Sequence, residues 1–141
     1  MGSVCLIMKE KISIGIGGIV GIVSYFLGGL DVLLSVFATI LVLDTLTGML
    51  KAWNNGEYES KKFRMGFVKK SGYLLGVILS VQLDKLMGDS GILRNTVITF
   101  FIVNESLSMC ENLGELGVTF PSIFSDALKT LKSKTESKDS E

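Results

Sequence analysis

Histidine is absent from this chain, proline and tryptophan occur once each, and cysteine occurs twice. The missing histidine removes the commonest general base near neutral pH and the commonest transition-metal ligand together. Cys5 and Cys110 stand far apart and match neither a zinc-ligand nor a redox spacing, so they read as two lone buried thiols. Net charge is lacking too, because 14 Lys+Arg balance 14 Asp+Glu. No global field is left to attract nucleic acid or another polyanion. There is no nucleophile–base constellation, and the Gly15–Gly18 cluster lies within an apolar run, where a phosphate-cradling loop has no place. The expectation is therefore no enzyme, with no catalytic or cofactor-binding residue, no metal and no cofactor.

What the chain has in quantity is apolar surface. Its 141 residues suffice for one domain. They are 48% apolar and only 20% charged, with a mean hydropathy of +0.49. Ile12 to Leu30 carries no charge, and Val32 to Leu50 carries only Asp44. A bilayer core of about 30 Å needs roughly 20 apolar residues at about 1.5 Å each, so both segments are long enough to cross it. Gly28-Gly29-Leu30-Asp31 between them is a helix stop and a tight turn, which predicts an antiparallel hairpin. Lys9 and Lys11 before the first run resemble a signal peptide, but no small-residue cleavage pattern follows, so the segment is expected to be retained. Leu6 breaks the myristoylation pattern.

Lys51 to Lys70 reads as a basic loop with Lys61, Lys62, Arg64, Lys69 and Lys70, and Trp53 and Tyr58 suit its headgroup level. A third span is expected from about Gly66 to Leu86 if Lys69 and Lys70 snorkel. A fourth runs from Ile92 to Cys110, weakened by Arg94 and Glu105, and Pro121 marks the end of that helical region. Ile123, Phe124, Ala127, Leu128 and Leu131 repeat at helical spacing beside Lys129 and Lys132, predicting a short interfacial helix. Residues 133–141 are charged and expected to be disordered.

The reading is an all-α integral membrane protein of about four transmembrane helices, with three as the alternative. It comprises a membrane domain over 1–118 and a cytoplasmic amphipathic helix and tail over 119–141. With four spans, Lys85 and Arg94 lie on one side and the other twelve of the fourteen cations on the opposite side. The positive-inside rule then puts both termini in the cytoplasm.

Three features could carry function. Asp44 sits mid-span, where an ionisable group costs about 2.5–3.5 kcal/mol, so it is a functional candidate or a paired acid that fixes packing. On the last span, Arg94, Asn104, Glu105, Ser108, Glu111, Asn112 and Glu115 fit an arc of about 120° at 100° per residue. That stripe must face helices or water. It is either buried against Asp44, with Arg94 as counter-ion if their depths match, or it lines an aqueous path in an oligomer. Gly17 and Gly21 form a small-xxx-small pair that, with Gly48, is a candidate helix-packing surface.

Taken in order, several short segments resemble the phage-holin family of clostridial and related prophages, which includes holins of large-toxin loci. They are Asp44-Thr45-Leu46-Thr47-Gly48 with Lys51-Ala52, Ser60-Lys61, Gly66, Lys69-Lys70 and Leu83-Asp84-Lys85. Leu93-Arg94-Asn95, Asn104-Glu105, Ser108, Glu111-Asn112, Leu116-Gly117-Val118 and Pro121 follow. The resemblance covers about Gly28 to Lys132. It implies a non-enzymatic lysis protein of the bacterial cytoplasmic membrane. Such a protein forms homo-oligomers in the lipid bilayer and opens lesions for an endolysin or a toxin. Met8 is a candidate second start, although residues 1–8 add no cation. A small ion channel or transporter subunit, or an antiholin or inert scaffold, remains the alternative at this point.

Overall fold

The computed structural model describes residues 2–56 and 60–137, with side chains from Lys11 onward except those of 60–62, 132 and 134–137. Among the described residues it is all-helical: α1 (Gly2–Leu27), α2 (Val32–Asn54), α3 (Ser60–Leu86), α4 (Ile92–Glu115) and α5 (Ser122–Ser137). Three of the connections have a local cause. The Gly29 N–H reaches back to the Ser24 carbonyl (2.9 Å), with Gly28 and Gly29 at φ 74° and 107°. This is the left-handed stop that only glycine makes without strain. Asp31 then caps α2, its carboxylate accepting from the Leu34 N–H at 2.9 Å. The same left-handed stop recurs after α3, where Asp89 N–H meets the Asp84 carbonyl at 2.7 Å. It recurs after α4, where Val118 N–H meets the Leu113 carbonyl at 2.9 Å and Gly117 sits at φ 86°.

The start of α4 is capped from a neighbouring helix. Gly91 at its N-cap offers no side chain. Instead the Asp84 carboxylate, on α3 and nearly fully buried, accepts from the backbone N–H of Leu93 (3.1 Å) and Arg94 (2.8 Å). A carboxylate at a helix N-terminus satisfies orphan donors and meets the positive end of the dipole.

α4 is the hub, packed on α2, α3 and α5, whereas α1 meets α3. The core is one layer of Leu34, Phe37, Val77 and Ile98, with Leu27, Tyr73 and Phe101 packed around it. Phe101 stacks on Tyr73 at 4.2 Å between ring centroids, and Gly76 admits that ring, since a Cβ there would lie 3.3 Å from it.

Three expectations change. The tight turn does not fold α1 back along α2. Arg94 fills the inside of that turn, and α1 leans on α3 through its last residues, with Lys85 4.0 Å from the Tyr25 ring. The basic stretch 51–70 is not a loop, because α2 continues to Asn54 and α3 begins at Ser60. Helix over these parts pairs backbone groups that a long loop would leave to other partners. The segment 133–137, expected to be disordered, continues α5, while 138–141 lie outside the described residues.

By length and composition, α2 is the one described helix that meets the measure for a membrane span, and the apolar part of α1, Lys11–Leu27, is shorter. Among the charges that lower the apolar character of α3 and α4, Lys69 and Lys70 pair with Glu105.

Candidate functional site

Three helices converge on one ionic cluster. Asp44 lies 12 residues into α2 and Glu105 13 residues into α4, each about 18–20 Å below the start of its helix. Because α2 and α4 start at the same end and pack side by side, the two carboxylates arrive at one level. α3 runs the opposite way and presents Lys69, Lys70 and Tyr73 to them, residues spaced to share a helix face.

The Lys70 ammonium donates to Asp44 Oδ2 (2.9 Å) and to Glu105 Oε2 (2.5 Å). Glu105 Oε1 accepts from Lys69 (3.0 Å) and from the Tyr73 hydroxyl (2.8 Å). The Asn112 amide reaches Asp44 Oδ1 (3.4 Å) and Thr47 Oγ1 (3.5 Å), and a Cβ on Gly48 would meet it only at ordinary contact, 3.7 Å. Glu105 is 1% exposed and Lys70 20%. Two carboxylates and two ammonium groups balance, as burial of charge demands. The arrangement joins α2, α3 and α4 through charge, so its formation or loss ties or releases helix packing.

A second cluster lies at the other level, Arg94 being about 16 Å from Glu105 along α4. Each N–H of the Arg94 guanidinium finds an acceptor. Nε donates to the Leu27 carbonyl (2.6 Å), and Nη2 to the Gly29 carbonyl (3.1 Å) and Asp31 Oδ1 (3.2 Å). Nη1 donates to Asp31 Oδ2 (2.7 Å) and Asn95 Oδ1 (3.3 Å). Arg94 therefore binds the C-terminal end of α1 and the N-cap of α2 to α4. Asp31, in the turn, is held below its ordinary 3.8, first by its hydrogen bond from Arg94 and then by the Leu34 N–H.

The stripe expected on α4 thus divides. Glu105 and Asn112 join Asp44, while Arg94 is not the counter-ion of Asp44, because the two lie at different depths. Asn104 and Ser108 are half-buried outside the cluster, and Glu111 is exposed. Glu115 pairs with Lys51 at 2.7 Å. Arg64 is exposed, and the side chains of Lys61 and Lys62 lie outside the described residues. Lys69 and Lys70, expected to snorkel, both pair with Glu105; Lys70 turns inward, whereas the Lys69 side chain stays 57% exposed. Gly17 and Gly21 meet nothing within 4 Å in the single chain. Sequence reasoning missed Tyr73, Asp31 and Asp84. The available signals were the Lys69–Tyr73 spacing and two acids placed in the turns beside Arg94.

Gly28 supports a direct test of this geometry. A Cβ there would lie 2.9 Å from Arg94 Cδ and Nε, on a backbone already at φ 74°. Gly28→Ala should lower unfolding stability in detergent by about 1–2 kcal/mol from the backbone alone, and more as Arg94 shifts. Gly17→Ala, with open space around it, should leave unfolding of the single chain unchanged.

A family model described as the bacteriophage holin family matches residues 21–133. The chain belongs to the bacteriophage holin family. Among its relatives is a probable holin of Bacillus phage phi105, 33% identical over 105 residues, covering 74% of this chain and 78% of that one. Protein YqxH of Bacillus subtilis (strain 168) is 34% identical over 112 residues, 79% of each chain. A 14.9 kDa protein in the nagH 3' region of Clostridium perfringens is 34% identical over 113 residues, 79% of this holin and 85% of the relative. No solved structure matches. Both ionic clusters of the holin fall within the matched residues.

Proposed function

We propose that this holin crosses the cytoplasmic membrane four times, through α1 to α4, with both termini in the cytoplasm, and that copies assemble there to open lesions for an endolysin. The observation that carries the reading is an inverted distribution of polarity. Ionic groups such as Glu105, Asp84, Arg94 and Lys70 turn inward. Ile14, Val32, Phe67, Leu75 and Leu79 are each 60% exposed or more. An apolar exterior of this extent suits hydrocarbon and not water. Because lipid is as apolar as Leu, packing inside the bundle gains little from hydrophobicity. The ion clusters then supply much of the specificity of helix pairing.

In this reading the resting bundle keeps its charges satisfied within one copy. Assembly separates α3 from α4, and water replaces the lost partners, so the same groups line the lesion. Gly17 and Gly21, uncovered in one copy, are the places where α1 of another copy can approach closely. Holins are not enzymes, and this reading needs no catalytic group.

Inducible expression in a bacterium tests the proposal. Growth should stop abruptly, and a folded cytoplasmic enzyme should leak when an endolysin is supplied or the wall is removed. Leakage confined to ions would make the chain a channel, and no leakage would make it a scaffold or an antiholin.

A further inference from the structure

α5 leaves an apolar strip that the bundle does not cover. After Glu115 the left-handed Gly117 reverses the chain, and α5 returns against α4 instead of continuing away from it. Leu128 is buried and Ser125 half-buried, which fixes the side of α5 that faces the bundle. At 100° per residue, Ile123, Phe124 and Ala127 lie together on an adjoining face. All three are exposed, Ile123 to 77%, and Phe124 stacks on the half-exposed Phe120 of the connector.

The position of that strip identifies its occupant. α4 has 24 residues, about 36 Å of helix, which exceeds a hydrocarbon core of about 30 Å. A helix folded back against the end of α4 therefore lies at the boundary between acyl chains and headgroups, where amphipathic helices bury one face. Charge agrees with this placement. The end of the bundle that carries α5 also holds Lys51, which pairs with Glu115, and the exposed Arg64 near the start of α3, and α5 itself bears Lys129, Lys132 and Lys134 against Asp126 and Glu136. We infer that α5 is a docking helix for the acidic inner face of the bilayer, with Ile123, Phe124 and Ala127 inserted among lipids and its lysines at their phosphates. The inference rests on the membrane reading above and adds a partner, acidic lipid, and the surface that binds it.

The test uses the full chain in vesicles of phosphatidylcholine with and without phosphatidylglycerol. Trp53, the sole tryptophan, is changed by Trp53→Phe, and single probes are introduced by Phe124→Trp, Asp126→Trp or Leu46→Trp. Acrylamide on both sides of the membrane and acyl-brominated lipid serve as quenchers. With acidic lipid, the probe at 124 should lose acrylamide quenching severalfold relative to the one at 126 and gain quenching by brominated chains. Acrylamide access at 124 while the α2 probe at 46 is quenched by brominated lipid overturns the docking inference alone. Acrylamide access at both overturns the membrane reading. Shielding of 124 from both quenchers means that protein covers the strip, and equal shielding without phosphatidylglycerol removes the role of acidic lipid; either result overturns the inference.

Discussion

Glu105→Leu should abolish lysis or displace its onset while the protein still reaches the membrane at the wild-type level. The substitution removes the one residue that touches Lys69, Lys70 and Tyr73 together. Leucine is easier to insert than glutamate, so insertion itself does not suffer. Lys70 keeps Asp44, but the cluster is left with two ammonium groups and one carboxylate. Removing one member of a buried ion pair costs about 3–5 kcal/mol. A cost of that size changes the balance between resting and rearranged packing by about two to four orders of magnitude. Lysis that depends on when helices separate cannot be indifferent to such a change. The measurement is the time from induction to lysis at matched membrane levels, and an unchanged onset would reject a role for the cluster in timing. Glu111→Leu is the companion, since Glu111 is exposed on the same helix. It should leave the onset close to wild type, which separates the cluster from a general effect of lowering the charge of α4.

That contrast also shows where the sequence was legible and where it was not. The beginnings of α2 and α4 could be read because their signals are local: Asp31 before an apolar run, and a polar turn ending at Gly91. The charged residues of α4 could be placed on one side because helical periodicity is local too. Partner choice is not local. Arg94 and Glu105 lie within one arc when viewed down the helix, yet the rise along its axis sets them about 16 Å apart. They therefore meet different acids and bases. Which helix stands beside α4 at each depth depends on the whole bundle. Lys69 and Lys70 resembled loop cations for the same reason, since nothing within 51–70 reveals that Glu105 and Asp44 wait opposite them. The α1–α2 hairpin was misread because a two-glycine turn permits several exits, and a side chain from α4 selects one.

The other large effect should come from Arg94. Arg94→Met keeps an unbranched apolar stem but is shorter and removes all five donors, so the Leu27 and Gly29 carbonyls lose their partner and Asp31 its fork. Hydrogen bonds to a charged group contribute about 1.5–3 kcal/mol each, and acceptors left without a donor add to the loss. Unfolding stability in detergent should therefore drop by about 3 kcal/mol or more. Because α1 meets the bundle only near its C-terminal end, a distance measured between labels on α1 and α3 should broaden as well. Arg94→Lys should recover little, since an ammonium cannot span two carbonyls and a carboxylate in one plane. Acid supplies an independent check. Asp31 has its carboxyl held below 3.8 by Arg94, so the stabilisation it brings is complete above 3.8 and fades as pH falls through its lower value in the folded chain. The stability gap between wild type and Arg94→Met should accordingly be constant above about pH 5 and narrow below 3.8. A gap that stayed constant into acid would mean that Arg94 stabilises the turn through the two carbonyls alone.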